Sequence, residues 1–555
     1  MFLWGKRAIT EEKELCSWFD PIAPRNVAER LRPAMFLLFL GILIFLFLMP
    51  LFAAPIERDQ GAYATVARGW LDGSLPYRDL WDNKGPLLYL WYVVSFSLLG
   101  QNPQAPRIAA ALAAGLSVPF LWAATRRLFG RQEAAVAAIL FALSFSNVYL
   151  QVTANSEVFM LLPMTAAFWA FTVGAQNNRN IWFLWSGILT SLAVFTRQSA
   201  ILTFFAYFGW LAITWLRRRE IRSQQIRAWA ALTSGGVLGA LPFVIYFTLH
   251  HALYDLWYAM FGFNAGWAAE QSFWLKFVPP LFIEPGPLLG GLIFWIAAAM
   301  GCWELWKRKD GPSWLVISLL AASEIAAQIM GKGSAHYSIQ LLPGAAMAAA
   351  FGVPRILDYG KNGSRTLRAV LAVAGTMTIL TLLFAYTRPT AESRFRVEYT
   401  FRDYANDAID APAIAKAVTA RSAPGDCIYE WGRSSQIYFL ADRQPCSRWF
   451  YDRPYETRKS MISEVVADLR KRKPSVLLVT GEIPVPPELS KLIREDYGYV
   501  GQVKYAKLYQ PLHTWALAKN APPLLARFDP PQAAAICWKR PGVEFSPLDP
   551  SVSPL

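Results

Sequence analysis

About eleven apolar segments, each close to the length that crosses a bilayer, recur between residues 35 and 387. In the bilayer core a chain must satisfy its own backbone hydrogen bonds, and about 20 apolar residues give a helix long enough to cross it. The sequence therefore predicts a polytopic α-helical membrane protein. The predicted spans are 35–54, 107–125, 133–150, 157–174, 181–196, 199–216, 228–249, 287–305, 313–330, 337–354 and 368–387.

Basic residues between these spans predict the orientation of the chain. With a cytoplasmic N-terminus, every second connection is cytoplasmic, and those connections carry the clusters of Lys and Arg that the positive-inside rule expects. The clusters comprise Lys6, Arg7, Lys13, Arg25, Arg30, Arg32, Arg126, Arg127, Arg217, Arg218, Arg219, Lys307, Arg308, Lys309, Arg355, Lys361, Arg365 and Arg368. Topology thus explains the net charge of +15, and basic residues scattered over short loops do not predict a nucleic-acid partner.

An odd number of spans places the C-terminal part of the chain opposite the N-terminus. The predicted domains are a cytoplasmic segment (1–34), a transmembrane domain (35–387) with a first outer loop (55–106), and an extracytoplasmic soluble α/β domain (388–555). The last domain alternates helix-like and strand-like stretches, and its Pro-rich end is predicted to be irregular. The helix-like stretches are 413–421 and 459–472, and the strand-like ones are 427–431, 475–480 and 499–509.

Two helices are predicted inside the first outer loop. Residues 60–72 place Tyr63, Val66 and Trp70 at helical spacing, which is typical of an amphipathic helix lying on the membrane surface. Residues 87–99 are apolar but short, so we expect an interfacial or re-entrant helix there. A full crossing at this point would reverse the orientation of everything that follows.

Cysteine use and the N-terminus add two expectations. The five cysteines include no pair at metal-ligand spacing, but Cys427 and Cys446 can form a disulfide if the C-terminal part lies in an oxidising compartment. The sequence leaves this pairing open. Before Met35 the chain is too polar for a signal peptide, and no small-residue cleavage site follows the first apolar run. That run is therefore expected to remain as a membrane anchor.

Asp59 is the first candidate for chemistry. It follows the first predicted span directly, together with Glu57 and Arg58, so its carboxylate is expected at the outer interface, partly shielded from water. A carboxylate in that position is suited to accept a proton from a hydroxyl nucleophile. The plainer alternative is an acid that pairs with Arg58 or caps the helix that follows.

Lys84 is the second candidate, because it lies on a polar turn that leads back into apolar sequence. A lysine there can reach a phosphate at headgroup level, although snorkelling to lipid headgroups is a common alternative. Tyr63, Tyr77 and Asp82 lie in the same loop. Such a combination is typical of sugar-phosphate sites, where aromatic rings stack on sugars, carboxylates bind hydroxyls and cations neutralise a leaving phosphate.

Further polar residues at the ends of other spans fall on the same predicted side. They are Glu157, Arg197, Gln198, His336, Tyr337 and Gln340. Most have an ordinary explanation when taken singly, such as a helix start or a hydrogen-bonded histidine, whereas an arginine between two short apolar runs implies a ligand or an acidic partner. In the C-terminal domain, a polar and aromatic group forms either an acceptor-binding surface or part of a stabilising cap. That group is Tyr429, Trp431, Arg433, Tyr438, Arg443 and Arg448.

The sequence disfavours several classes of function. It contains no Gly-rich phosphate loop, no nucleophile elbow and no H-E-x-x-H motif, which argues against ATP-driven transport and membrane metalloproteolysis. The connections on the predicted cytoplasmic side are too short to house a nucleotide-sugar-binding domain.

Four motifs resemble those of the membrane-embedded C-type glycosyltransferases, specifically bacterial members similar to protein O-mannosyltransferases and to the lipid A aminoarabinose transferase (glycosyltransferase family 39 and relatives). They are Glu57-Arg-Asp-Gln-Gly-Ala-Tyr63, Trp81-Asp-Asn-Lys-Gly-Pro-Leu-Leu-Tyr89, Asn155-Ser-Glu157, and the element from His336-Tyr337 to Pro343. The resemblance covers about residues 35–387. It departs at Gln60, where the family often has a second acid, and at Gly85, where proline is commoner and the expected effect is mainly on loop rigidity.

The resemblance implies roles for these residues. Asp59 would be the general base, and Lys84 would bind the lipid phosphate of the donor with help from Arg197, His336 or Tyr337. The residues that would contact substrates are Glu57, Arg58, Tyr63, Tyr77, Asp82, Glu157 and Gln340. No cofactor is implied with certainty, and a divalent metal near Glu157 stays open.

The expected activity is an inverting transfer of a hexosyl or pentosyl group from a polyprenyl-phosphate donor to a hydroxyl of a glycolipid, glycan or protein. It would take place at the outer face of a bacterial inner membrane, in contact with membrane lipids. Two alternatives stay open: a flippase or exporter of lipid-linked saccharides, and a glycan polymerase or ligase with diphosphate-linked donors. A transporter is expected to place ionisable residues near mid-span, whereas here they gather at one interface.

Overall fold

The computed structural model describes residues 27–514 apart from 151–153, 218–221, 272, 330–332, 389, 399–404 and 482–483. Cys16, Cys537 and the Pro-rich end of the chain lie outside this part. The longer helices are Val27–Leu48, Arg58–Leu71, Pro86–Leu99, Gln104–Phe129, Arg131–Ser144, Ser156–Asn177, Asn180–Thr196, Ile201–Arg217, Arg222–Leu249, Leu292–Arg308, Gly311–Gln328, Leu342–Asn362, Arg365–Tyr386, Ala405–Thr419, Met461–Arg472 and Pro487–Asp496. Shorter helices include Leu253–Trp257, Phe263–Glu270, Ala335–Leu341, Ala391–Glu398, Gln436–Ala441 and Pro454–Thr457.

Every predicted span overlaps one or two helices, and the chain is a polytopic helical membrane protein. Within the described ranges, seven helical segments are long and apolar enough to cross a membrane. They are Arg32–Leu51, Gln104–Phe129, Ser156–Asn177, Gln198–Leu216, Arg222–Leu249, Ala335–Asn362 and Arg365–Phe384. Other predicted spans lie on shorter helices, such as Arg131–Ser144 with 14 residues. The total of eleven crossings therefore stays a prediction.

Glycines let neighbouring helices approach closely. Gly187 in Asn180–Thr196 faces Arg222–Leu249 so tightly that a Cβ at this position would lie 2.1 Å from the carbonyl oxygen of Leu232. Lipid tails are as apolar as the helices themselves, so helices in a bilayer associate through close packing at small residues. Such contacts hold the bundle that carries the outer loops.

The helix Arg58–Leu71 does not lie on the membrane surface, and the surface-helix prediction for 60–72 was wrong. Most of its residues are buried. Arg68 donates hydrogen bonds to the carbonyls of Tyr438, Phe439 and Arg443. The C-terminal segment (residues 405–514) therefore covers the polar face that sequence reasoning had assigned to water.

The helix Pro86–Leu99 matches the short outer-loop helix that the sequence predicted. Its 14 residues span about 21 Å, less than the roughly 30 Å hydrocarbon core, so it is too short to cross alone. Phe96 stacks on Phe439 of the C-terminal segment with ring centroids 5.5 Å apart. This helix thus packs against the C-terminal segment at Phe96.

The C-terminal segment contains a five-stranded sheet with helices around it. Its strands are β1 (Cys427–Trp431), β2 (Gln444–Pro445), β3 (Leu477–Val479), β4 (Tyr497–Val503) and β5 (Ala506–Pro511). The strand order is β2-β1-β3-β5-β4, parallel from β2 to β3 and antiparallel from β3 to β4.

A disulfide joins Cys427 to Cys446, the pairing that the sequence left open. Cys427 opens β1 and Cys446 directly follows β2, so the bond ties the sheet edge to its neighbour. The bond also fixes the start of the stretch 446–458, which reaches the outer loop.

Candidate functional site

A buried arginine places the acidic motif after the first helix. Arg107, at the start of Gln104–Phe129, donates hydrogen bonds to the carbonyl oxygens of Leu51, Ala54 and Pro55. The same guanidinium donates to Oε1 of Gln60 at 3.1 Å. The departing backbone of the first span is thereby capped, and the chain is aimed into the next helix with Asp59 on its first turn. Gln60 therefore serves as a structural acceptor.

The first outer loop and the C-terminal segment together line one polar pocket that is partly open to solvent. The outer loop supplies Arg58, Asp59, Ala62, Tyr63, Asp82, Asn83 and Lys84 to its wall, and the C-terminal segment supplies Arg433, Ser435, Tyr451 and Arg453. Asp59 and Lys84, the two principal candidates, thus face one space. We call this space the Asp59 cavity.

Asp59 lies half-buried on the first turn of Arg58–Leu71. The partial positive charge of a helix N-terminus favours an ionised carboxylate there. Burial lowers the pKa of Arg453, but Asp59 is the strongest of the opposing charges, and the net pKa of Arg453 lies above its ordinary value. The carboxylate and this guanidinium therefore interact electrostatically inside the cavity.

Lys84 is held in position through its backbone and its neighbour. The Tyr77 hydroxyl donates to the Lys84 carbonyl at 2.7 Å, and Gln198 donates to the Asn83 carbonyl at 2.8 Å. Its Nζ donates to Oδ1 of Asn83 at 3.1 Å and lies 5.7 Å from the Tyr63 ring centroid. An amide and a ring leave the ammonium charge available to an anion.

Gly85 has a sharper role than the loop rigidity expected from the sequence. A Cβ at this position would lie 2.0 Å from the carbonyl oxygen of Phe195, an impossible distance. The Lys84 turn is packed directly against the end of Asn180–Thr196, and only glycine permits that approach.

Asp82 also lines the cavity, but both of its carboxylate oxygens accept hydrogen bonds from buried tyrosines. The Tyr89 hydroxyl donates to one oxygen at 2.8 Å and the Tyr451 hydroxyl to the other at 2.7 Å. This carboxylate therefore ties the outer loop to the C-terminal segment. Such a buried, charge-assisted network fixes geometry strongly.

Tyr63 lines the same cavity and lies close to several carboxylates. Burial raises the pKa of its phenol well above the ordinary value, and the carboxylates of Asp59, Asp82 and Glu157 raise it further. The phenol is therefore protonated at neutral pH. Tyr77 is fully buried and does not line the cavity, so its observed contact is the support of Lys84.

A second polar cluster lies at the turns between other spans. Glu157 accepts from Arg197 through a short charge-assisted contact and lies 3.3 Å from Nε2 of His336. The Arg197 guanidinium stacks 4.5 Å from the ring centroid of Tyr337. Burial lowers the pKa of Arg197, but Glu157 and then Tyr337 more than offset this, so the net pKa is raised. We call this group the Glu157 cluster.

The structure thus sorts the predicted residues into two neighbouring groups. Glu57 is buried at the start of Arg58–Leu71 and does not line the Asp59 cavity. Gln340 joins the Glu157 cluster, because its Oε1 accepts from Ser199, which in turn accepts from Arg197. Glu157 influences the pKa of Tyr63, and Tyr337 influences that of Arg453. The two groups are therefore electrostatically coupled.

Sequence reasoning missed several cavity residues. They are Asn83, Ser435, Tyr451 and Arg453. The usable signal was the dense run of aromatic and basic residues in 448–455, Arg-Trp-Phe-Tyr-Asp-Arg-Pro-Tyr, whose composition matches the outer loop. Arg433 had been placed among surface candidates and instead lines the cavity.

The described part of the chain brings no three His, Cys, Asp or Glu side chains together in a metal-holding group. Glu157 and His336 approach each other, but Arg197 occupies the same carboxylate oxygen. A metal near Glu157 accordingly stays an open question.

Comparison with known proteins agrees with this architecture. A sequence model of the dolichyl-phosphate-mannose-protein mannosyltransferase family matches residues 83–269. Two crystal structures of ArnT from Cupriavidus metallidurans have the same fold. The one bound to undecaprenyl phosphate is 14% identical, with a TM-score of 0.56, and the match covers 86% of this chain and 97% of that one. The apo structure is 13% identical, with a TM-score of 0.52 and coverage of 87% and 98%.

The archaeal oligosaccharyltransferase AglB from Archaeoglobus fulgidus, in complex with an inhibitory peptide and a dolichol-phosphate, is 10% identical. Its TM-score is 0.48, and the match covers 82% of this chain and 70% of that one. No curated protein sequence matches the chain.

The chain therefore has a fold similar to that of the membrane-embedded C-type glycosyltransferases. The family match includes Lys84, Glu157 and Arg197, and the fold match extends over most of the chain. The resemblance to membrane-embedded C-type glycosyltransferases, similar to the protein mannosyltransferases, is confirmed.

Proposed function

We propose that this protein is an inverting glycosyltransferase that moves a sugar from a polyprenyl-phosphate donor to a hydroxyl acceptor on the extracytoplasmic side of the membrane. The carrying observation is that Asp59 and Lys84 line one cavity. The ArnT structure of the same fold holds undecaprenyl phosphate, which supports a donor of this chemistry. The disulfide between Cys427 and Cys446 supports an oxidising compartment for the C-terminal segment.

The proposed reaction is a single displacement. Asp59 accepts the proton of the acceptor hydroxyl, and that oxygen forms the new bond to the anomeric carbon. The bond between the anomeric carbon and the phosphate oxygen breaks, and polyprenyl phosphate departs with the electron pair. Attack opposite the leaving group inverts the anomeric carbon, while Lys84 stabilises the negative charge on the phosphate.

The donor assay tests this function. Purified full-length protein in lipid nanodiscs is incubated with radiolabelled sugars on undecaprenyl phosphate or undecaprenyl diphosphate and with a panel of hydroxyl acceptors. Glycosidic product from the monophosphate donor, with inverted anomeric configuration by NMR, is the expected result. Product from the diphosphate donor alone would instead identify a polymerase or ligase.

A flippase is the second candidate, because cations and aromatic rings also suit transport of lipid-linked saccharides. A flippase forms no glycosidic bond, so reconstituted vesicles would translocate the labelled carrier without product. The candidate ligand-binding charges gather in the Asp59 cavity and the Glu157 cluster, and this arrangement favours the transferase.

A further inference from the structure

Several buried arginines of this protein donate hydrogen bonds to many acceptors. Arg68 bonds three carbonyls and Asp442, Arg107 bonds four carbonyls and Gln60, and Arg443 bonds Ser422 and two carbonyls of its own turn. Burying a guanidinium without hydrogen-bond partners is costly, so buried arginines normally acquire several acceptors when a protein folds.

Arg453 departs from this pattern. Its half-buried side chain lines the Asp59 cavity and forms no hydrogen bond or salt bridge with any residue that the structure describes. Its contact is a cation–π approach to Trp267, with Cζ 5.2 Å from the ring centroid. The neighbouring Arg433 is satisfied by Asp452 at 2.9 Å and by Glu456. The cavity therefore contains a shielded guanidinium whose donors are free to take an acceptor from a ligand.

Lys84 has a similar shortage on the other contributing segment. Its ammonium group bonds the amide oxygen of Asn83 and forms no salt bridge within the described ranges. Two cations without carboxylate partners at bonding distance thus line one cavity. One comes from the first outer loop and the other from the C-terminal segment. Both side chains therefore lack an anionic partner at bonding distance among the described residues.

We propose that Arg453 binds the phosphate of the lipid-linked donor jointly with Lys84. This inference rests on the proposed function. A planar guanidinium matches two phosphate oxygens at once, whereas an ammonium acts as a point charge. The C-terminal segment then completes the phosphate site, rather than only covering it.

Phosphate binding to Arg453 would also affect Asp59, the proposed general base. Without a ligand, Asp59 and Arg453 attract one another across the cavity. A phosphate that binds Arg453 competes with Asp59 for the same positive charge and weakens this attraction. Donor binding and proton acceptance are then coupled through one guanidinium.

Binding of undecaprenyl phosphate and of uncharged undecaprenol to full-length protein in nanodiscs tests the proposal. Arg453→Gln is expected to weaken undecaprenyl phosphate binding about tenfold or more. Arg453→Lys should weaken it less, because lysine keeps the positive charge but loses the planar guanidinium that can bond two phosphate oxygens. Undecaprenol binding should be unchanged in both variants. Arg494→Gln, the same chemical change on an exposed helix, should bind both lipids like the wild type.

Equal loss for both lipids would show a structural role and overturn the proposal. Unchanged affinity for undecaprenyl phosphate would also overturn it, as expected if Arg453 serves an acidic acceptor instead. These results are separable from failure of the proposed function: if Lys84→Gln weakens phosphate binding while Arg453→Gln does not, the function stands and this inference fails. If the wild-type protein binds undecaprenyl phosphate no more tightly than undecaprenol, the proposed donor class itself is wrong.

Discussion

The Tyr451 hydroxyl donates a 2.7 Å hydrogen bond to Oδ1 of Asp82, although 369 positions separate the two residues. Close to it, the amide of Trp81 donates to the carbonyl of Arg448 at 2.9 Å, and the rings of Trp81 and Trp449 lie 5.1 Å apart. The C-terminal segment is therefore part of the wall around the candidate site. Perturbing this joint should change the cavity without touching Asp59 or Lys84.

Tyr451→Phe should remove one of the two tyrosine donors to Asp82. Losing a buried charge-assisted hydrogen bond costs about 1.5–3 kcal/mol, so both thermal stability and transferase activity should fall. Unfolding scans and initial rates measure the two effects. Tyr254→Phe, the same change at an exposed position in the short helix Leu253–Trp257, should alter neither. Normal stability and rate in Tyr451→Phe would mean that this joint is dispensable.

Asp59→Asn should lower the transfer rate by about 10²- to 10⁴-fold, because the amide cannot accept the acceptor's proton. Affinity for undecaprenyl phosphate should remain close to that of the wild type, since the change leaves Lys84 in place. Single-turnover rates and lipid binding measure these two quantities separately. Asp496→Asn, at the exposed end of a helix, is the matched control. An Asp59→Asn protein with wild-type turnover would remove Asp59 from the role of base.

Gly85→Ala should destabilise the Lys84 turn, because the new methyl would meet the Phe195 carbonyl at 2.0 Å. Overpacking of this kind typically costs about 1–3 kcal/mol. Gly209→Ala introduces the same methyl where nothing lies within 4 Å, so the control should be neutral or slightly more stable. Equal melting temperatures for the two variants would show that the turn can move aside.

Removing the disulfide should destabilise the C-terminal segment and reveal its compartment. Cys427→Ser with Cys446→Ser should cost about 2–4 kcal/mol in the free energy of unfolding. In intact bacterial spheroplasts, a membrane-impermeant maleimide should label these two thiols of the otherwise wild-type protein after mild reduction. Labelling that requires membrane permeabilisation would place the segment in the cytoplasm and contradict the proposed orientation.

Glu464 should make stability depend on pH. Burial raises the pKa of this carboxyl, but the hydrogen bond from Trp449 and the charges of Arg448 and Arg458 lower it overall. A depressed folded-state pKa contributes stability above the unfolded value near 4.5, and the contribution is lost as pH falls through the folded value. Glu464→Gln should therefore lower the melting temperature by about 1–3 °C at pH 7, with the deficit shrinking below pH 4. A deficit that grows in acid would contradict this.

Local sequence pattern predicted the membrane architecture well, because each span must be apolar along its own length. It also predicted Asp59 and Lys84, since charged groups at the outer ends of apolar runs are visible without any fold. The same local logic failed for the helix at 60–72, where half-polar periodicity indicated a lipid surface. The polar face of this helix is covered by the C-terminal segment, where Arg68 bonds residues 370 and 375 positions away in the chain.

What the sequence by itself determined was therefore the helical bundle and two candidate side chains, Asp59 and Lys84, which the structure places in one cavity. Only the tertiary structure decided that Arg453 and Tyr451 line the cavity and that Asp82 accepts hydrogen bonds from two tyrosines. It also decided that position 85 must be glycine, because the Phe195 carbonyl leaves no room for a Cβ. These relationships join segments far apart in the chain, and their energy depends on distances that periodicity and composition do not encode.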